Sequence, residues 1–325
     1  MFMAYFGPPT CSSLSNARSC YILAWCYVGE TMLTSSSHTE LDAVPIPPKP
    51  RDEDLDFFGL TDRGLVRPDN QDHFLVTTLH KTMRVHVTSL PNPELLEIPS
   101  QRLASLGMVC DGVGGHSGGE EASRSAVEAI AGYVTNTMHC FFAMDTSDDT
   151  ALLDSLRDAA TRSHELIANR AKESGDRKGM ATTLTMFIAV WPTLYLLQVG
   201  DSRCYRFRGG ELEQLTRDQT MAQDLVDSGV LKPEQAKRSP YAHVLSSSLG
   251  GSTWIPEVSK TDLKLGDALV LCTDGLTKHV STERIAERMR TRTSSEQAVR
   301  ALVADTIAAG ASDNVTVLVL HAKVR

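Results

Sequence analysis

The order in which strand-like and helix-like stretches follow one another is the strongest constraint on the fold of this chain. Three apolar runs, LDFFGL from Leu55, DHFLVTTL over Asp72–Leu79 and LASLGMVC over Leu103–Cys110, precede any helical pattern. Two stretches of helical period come next, Glu120 to about Met138 and about Thr150 to Lys172, each keeping its apolar residues near one face. After Gly179 the pattern returns to strands: ATTLTMFIAV, LYLLQV, SRCYRFR and, across a Gly209-Gly210 turn, ELEQLT. A strand at Asp267–Thr273, two helical patterns within about 281–309 and a last strand, NVTVLVLHA, complete the order. Strands and helices do not alternate one for one. That argues against a doubly wound parallel sheet and for antiparallel sheets with helices packed outside them.

The 325 residues suffice for two average domains or one large one. Residues 1–52 read as an extension, rich in Ser, Thr and Pro, ending in PIPPKP and expected to be disordered. One folded domain is expected over 53–325, with an irregular insertion at about 80–102, where Pro91, Pro93 and Pro99 fall, and a polar stretch at about 218–250. The net charge of −8 argues against nucleic-acid binding, which favours a basic face. No apolar run approaches the roughly 20 residues that span a bilayer, so no stable membrane insertion is expected. The stretch Tyr21–Val28 is too short to span and lacks the flanks of a signal peptide. Seven cysteines without a CxxC pair indicate reduced thiols and a cytoplasmic location, with Cys110 and Cys272 as small core residues.

Five aspartates share one context. Asp111 follows LGMVC, Asp274 follows ALVLCT, Asp201 follows LYLLQVG, Asp313 precedes NVTVLVL and Asp72 opens DHFLVTTL. An aspartate at a strand end is most often a turn former or a helix cap. Five of them at the edges of buried strands point to a shared site, because converging carboxylates repel and are tolerated around cations. Hard oxygen ligands select Mg²⁺ or Mn²⁺ over zinc. Gly112, Gly114 and Gly115 after Asp111 allow positive φ and close approach of backbone to a ligand.

The segments TDRGLVRPDNQD (61–72), DGVGGHSGGE (111–120), GMATT (179–183), VGDSR (199–203), CTDGL (272–276) and SDNVT (312–316) together resemble the bacterial branch of the PPM, or type 2C, protein serine/threonine phosphatases. The resemblance covers about 55–320 and implies an α+β fold, a four-layer α-β-β-α sandwich. It implies hydrolysis of phosphoserine and phosphothreonine in proteins by a water activated between two Mn²⁺ or Mg²⁺ ions. Asp111 would bridge both ions, Asp274 and Asp313 would complete one site, and the Gly112 carbonyl with Asp72 would serve the other. Asp201 matches the position of a third, weaker ion. Arg67 matches the arginine that grips the substrate phosphate, and His116 would be the general acid. Phosphorylated proteins, and a Ser/Thr kinase with its substrates, are the implied partners, and 218–250 matches a flap beside the site.

Gln71 stands where many members of that family carry Glu, which predicts weaker binding at one of the two sites. The last motif lacks glycines upstream of Asp313. Two rival readings are a pseudophosphatase used as a binding module and a hydrolase of small phosphoesters. Retention of Asp111, Asp274 and Asp313 speaks against the first.

Overall fold

A computed structural model of the chain describes residues 48–89, 91–92, 98–114, 117–137, 149–173 and 179–324. Eleven strands and seven α-helices occupy them. The first half holds β1 (Leu55–Asp62), β2 (Asp72–Met83), β3 (Ile98–Val113), α1 (Ser117–Thr137) and α2 (Asp149–Glu173). A run of strands follows: β4 (Ala181–Thr182), β5 (Leu184–Val190), β6 (Thr193–Val199), β7 (Arg203–Arg208) and β8 (Glu211–Gln214). Next come α3 (Met221–Asp227), α4 (Pro233–Ala236), β9 (Glu257–Asp262) and β10 (Ala268–Cys272). The chain closes with α5 (Asp274–Thr277), α6 (Thr282–Arg290), α7 (Ser295–Ala308) and β11 (Val315–Ala322).

The strands form two sheets, and every pairing in them is antiparallel. One sheet runs β1-β11-β10-β7-β8; the other runs β2-β3-β5-β6-β9, with β4 paired to β3. Alternation along the strands builds three apolar layers, because successive side chains leave a sheet on opposite faces. In β10, Leu269 and Leu271 join Phe187, Leu196 and Leu318 between the sheets. Val270 and Cys272 point the other way, onto α5, α6 and α7. In β3, Leu106, Met108 and Cys110 pack under α1 and α2, whereas Val109 faces the other sheet. The result is the expected four-layer α-β-β-α sandwich.

The sequence reading differs from the structure in several places. The insertion expected over about 80–102 is narrower, because β2 continues to Met83 and β3 begins at Ile98. Beyond Leu79 the hairpin pairs His80 with Arg102 and Lys81 with Gln101, so the apolar alternation that marks a strand fades there. The folded body also starts before residue 53. The Lys49 ammonium donates to the Arg102 carbonyl, and the buried Arg102 guanidinium donates to the Pro50 carbonyl and, at 2.7 Å, to Asp52. Strand β9 has no counterpart in the apolar pattern because it lies on the sheet edge and exposes most of its side chains. Residues 1–47, with most of the predicted extension, lie outside the described residues. Among those described, no helix is long and apolar enough to cross a membrane.

The outer helices are joined by charge. Asp305 on α7 receives Arg284 and Arg288 from α6 at 2.6–3.1 Å. The Arg288 hydrogen bond, opposed by burial and helped by Arg284, holds its carboxyl well below the usual range. A depressed pKa contributes stability above the unfolded-state value of about 3.9 and loses it as pH falls toward the folded value. Asp305→Asn should therefore lower the melting temperature at pH 7, with the gap to wild type closing below about pH 4. In the central layer, Leu271→Ala should cost about 2–5 kcal/mol by urea unfolding, since Leu271 is fully buried between the sheets.

Candidate active site

Asp72 and Asp111 are directly opposed in the β2–β3 ladder. Both share strand parity with side chains that face the other sheet: Phe74 and Val76 along β2, and Val109 along β3. The two carboxylates therefore point between the sheets, at the end where the apolar layer stops. Like charges directly across an antiparallel pair are destabilising. The opposite sheet answers with hydroxyls: Thr273 at 2.9 Å and Thr316 at 2.7 Å donate to Asp72 Oδ2. Burial pushes the Asp72 carboxyl up to about 7, against those hydroxyls and with the repulsion of Asp274 and Asp313. Asp111 is raised well above its ordinary range by burial and by Asp72, Asp274, Asp201 and Asp313 in turn.

Asp274 opens α5 directly after β10, and Asp313 lies two residues before β11, so the neighbouring strands β10 and β11 bring them together. Lys278 spans them, its Nζ 2.6 Å from Asp274 Oδ2 and 2.7 Å from Asp313 Oδ2. Arg67 adds a two-pronged pair to Asp313 at 2.7 and 3.0 Å. Burial works against ionised Asp313, yet the hydrogen bonds from Arg67 and Lys278 outweigh it and hold its carboxyl below the usual range. Asp201, buried in the turn after β6, is pushed up to about 8 by burial and then by Asp274 and Asp218. Arg67, Asp201, Arg203, Asp274, Lys278 and Asp313 line a cavity of about 850 Å³.

Two carboxylate oxygens, Asp72 Oδ1 and Asp274 Oδ1, are sealed from solvent and have no hydrogen-bond partner. A buried, unpartnered carboxylate oxygen is costly unless a cation meets it. The donor set is all oxygen, which suits Mg²⁺ or Mn²⁺. Among the described residues no three acidic, imidazole or thiol side chains already converge closely enough to hold an ion. The positive charge between Asp274 and Asp313 comes instead from Lys278 and Arg67.

Support around the carboxylates comes from motif residues. Asp111 N–H donates to Thr183 Oγ1 at 3.0 Å, and its carbonyl accepts from Thr183 N–H and Thr182 Oγ1 at 2.9 and 2.8 Å. Gly112 needs its missing side chain more than a positive φ: a Cβ there would lie 2.2 Å from the Gly119 carbonyl oxygen. Positive φ falls at Gly114, at 146°, while Gly115 and His116 lie outside the described residues. Arg203 reaches out of its own turn to Asp218 in a bidentate bridge at 2.6–3.1 Å. It fastens the start of the 218–250 segment, where α3 and α4 lie. The buried cysteines near the site offer no nucleophile; burial lifts the Cys272 thiol to about 12.

Sequence reasoning missed two residues here. Lys278 carries no motif, and the single turn of α5 that stacks it on Asp274 is too short to show a helical period. Asn314 was quoted within a motif without a role. Its Oδ1 accepts Gln71 N–H at 2.9 Å, and its Nδ2 donates to the Arg63 and Asp69 carbonyls, both at 2.9 Å. It thereby latches the loop that carries Arg67.

A family model described as protein phosphatase 2C matches residues 98–312. The chain belongs to the protein phosphatase 2C family. Other likenesses agree with this membership. The serine/threonine protein phosphatase PstP of Mycobacterium tuberculosis is 33% identical over 266 residues, covering 82% of this chain and 44% of PstP. This chain thus spans less than half the length of that relative. Protein phosphatase PhpP of Streptococcus pneumoniae is 28% identical, over 79% of this chain and 94% of its own. The crystal structure of M. tuberculosis PstP/Ppp superposes with a TM-score of 0.67 at 30% identity, covering 83% of this chain and 99% of that one. A catalytic-domain structure of PstP in complex with two manganese ions gives a TM-score of 0.63 at 31% identity, with 82% and 97% coverage.

The Asn314 latch is testable on stability alone. Asn314→Ala leaves the Gln71 N–H and two carbonyls without their partner and should cost at least about 2 kcal/mol in urea unfolding. Amide exchange across 63–71 should quicken in the same variant; unchanged exchange there would show that the loop is held by something else.

Proposed function

We propose that this chain is a metal-dependent phosphatase that hydrolyses phosphoserine and phosphothreonine in proteins, using two Mn²⁺ or Mg²⁺ ions. The observation that carries the reading is the pair of sealed, unpartnered carboxylate oxygens on Asp72 and Asp274, within a group of five mutually repelling aspartates. Membership of the protein phosphatase 2C family and the two manganese ions of PstP support it.

In this reading Asp111 would contribute to both ion sites, Asp274 and Asp313 would complete one, and Asp72 with the Gly112 carbonyl would serve the other. Asp201 would hold a third, weaker ion. When bound, the ions supply an activated water and positive charge against the phosphoryl oxygens. The chain's own residues do the rest. Arg67 is half-exposed at the cavity mouth, and its planar fork suits two phosphate oxygens as well as it suits Asp313. Thr273 and Thr316 hold the Asp72 carboxylate in one orientation while its other oxygen faces the site. The β-sandwich fixes each aspartate on rigid backbone, so little reorganisation accompanies the reaction. His116, in the glycine-rich sequence after Asp111, is proposed to protonate the leaving alkoxide.

Polypeptide substrates are favoured over small phosphoesters by the cavity surroundings. Leu65 and Val66, just before Arg67, are 61% and 67% exposed. Tyr241 and Val244, which flank the cavity residues Ala242 and His243, are exposed as well. Exposed apolar side chains around a charged cavity suit the residues on either side of a phosphorylated serine or threonine. A kinase of the same specificity must place those phosphates, which makes it the natural functional partner. The buried free thiols Cys110, Cys204 and Cys272 fit a cytoplasmic location.

Asp111→Asn should reduce turnover of a phosphothreonine peptide by the order of 10³-fold while the circular dichroism spectrum stays native. Full activity in that variant would remove the bridging role. Stripping divalent cations should abolish activity and Mn²⁺ should restore it. Comparing the peptide with nucleotides and sugar phosphates separates a protein phosphatase from a small-phosphoester hydrolase.

A further inference from the structure

We infer that Lys278 is a tethered competitor for the divalent ion at the Asp274–Asp313 pair, so that its ammonium and that ion occupy the same position in turn. The inference rests on the two-ion reading above and adds to it a residue of this chain that sets how much metal the site requires.

The geometry begins with a single helical turn. Lys278 N–H donates to the Asp274 carbonyl at 2.8 Å, closing α5. A spacing of four residues stacks the two side chains on one face. The ammonium lies 2.6 Å from Asp274 Oδ2 and 2.7 Å from Asp313 Oδ2. A Mg²⁺ ion bound to those oxygens would sit about 2.1 Å from each. The ammonium and such an ion would draw on the same two carboxylate oxygens, so each weakens the hold of the other.

The lysine is a poor final partner for this site. Asp274 Oδ1 stays sealed and unpartnered with the ammonium in place, whereas an ion at the carboxylates can draw on both oxygens. Lys278 also has somewhere to go. It lines the cavity of about 850 Å³, and its flexible four-carbon stem can carry the charge into that space. The exchange keeps a positive charge beside Asp274 and Asp313 in both states. The metal-free chain is thereby spared the repulsion of two bare carboxylates, and ion binding is weakened by the pairs that must first break.

The test is isothermal titration of the metal-stripped full chain with MnCl₂ at one fixed pH, comparing wild type with Lys278→Met and Lys278→Gln. Both neutral variants should bind one of two Mn²⁺ ions at least about tenfold more tightly than wild type does, as loss of a half-buried competing charge implies. Lys278→Arg, which keeps the charge, should stay weak. The rise in melting temperature at saturating Mn²⁺ should be larger in the neutral variants than in wild type, because their metal-free state has lost its internal cation. Two Mn²⁺ ions bound with the same affinity in all four proteins would overturn this inference and leave the two-ion reading standing. Weaker binding in the neutral variants would also overturn it. Absence of Mn²⁺ binding in every protein, wild type included, would overturn both.

Discussion

The Asp72 carboxylate, held between two sheets by hydroxyls that the opposite sheet supplies, is the contact on which the site depends. One oxygen accepts from Thr273 and Thr316, and the other is sealed with no partner. Across the ladder stands Asp111, so β2 and β3 are paired at their ends through two like charges. A polypeptide does not place carboxylates this way for stability, because burial and mutual repulsion both oppose it. The sandwich tolerates the arrangement because its stability comes from elsewhere, in the three apolar layers. A cation would relieve both costs, and that relief is the physical content of the proposed function.

The layers also explain why the carboxylates meet. The central strands contribute to one apolar layer with alternate residues and to another with the residues between. At one end of the central layer the inward-facing positions change from leucine and phenylalanine to aspartate and threonine. Asp72 and Asp111 arrive from one sheet and Thr273 and Thr316 from the other, in continuation of the parity of Val109, Leu271 and Leu318. The acidic site is the polar end of the hydrophobic core. Asp274 and Asp313 are added by the segments leaving β10 and entering β11, which are neighbours in the sheet although 39 residues separate the two aspartates in sequence.

Much of this was legible because the signals are strong where burial is strong. The strands that became β3, β5, β6, β10 and β11 are nearly continuous apolar runs, and the order of elements argued against a parallel sheet. Strand β9 was not legible, since an edge strand exposing most of its side chains has no apolar alternation. Helix α5 was not legible because one turn is too short for periodicity. The five aspartates could be named from sequence because each adjoins a buried strand. The groups that orient or neutralise them could not. Asn314 acts through backbone atoms 243–251 residues away in sequence, and Lys278 acts through a partner that only the β10–β11 pairing brings near. His116 lies outside the described residues, so its role rests on the motif alone.

In the proposed function, Asp313 is where ion and substrate requirements meet. It is shared by Arg67 and Lys278, two cations on one carboxylate. In the proposed cycle each has another destination: Arg67 goes to the phosphate oxygens, and Lys278 yields to the ion. A divalent ion brings two positive charges where the ammonium brought one, so Asp313 then holds Arg67 less firmly and the guanidinium is freer to meet a phosphate. Coupling of this kind requires no movement of the sheets. It follows from a single carboxylate that cannot be neutralised by an arginine, a lysine and a metal ion at once.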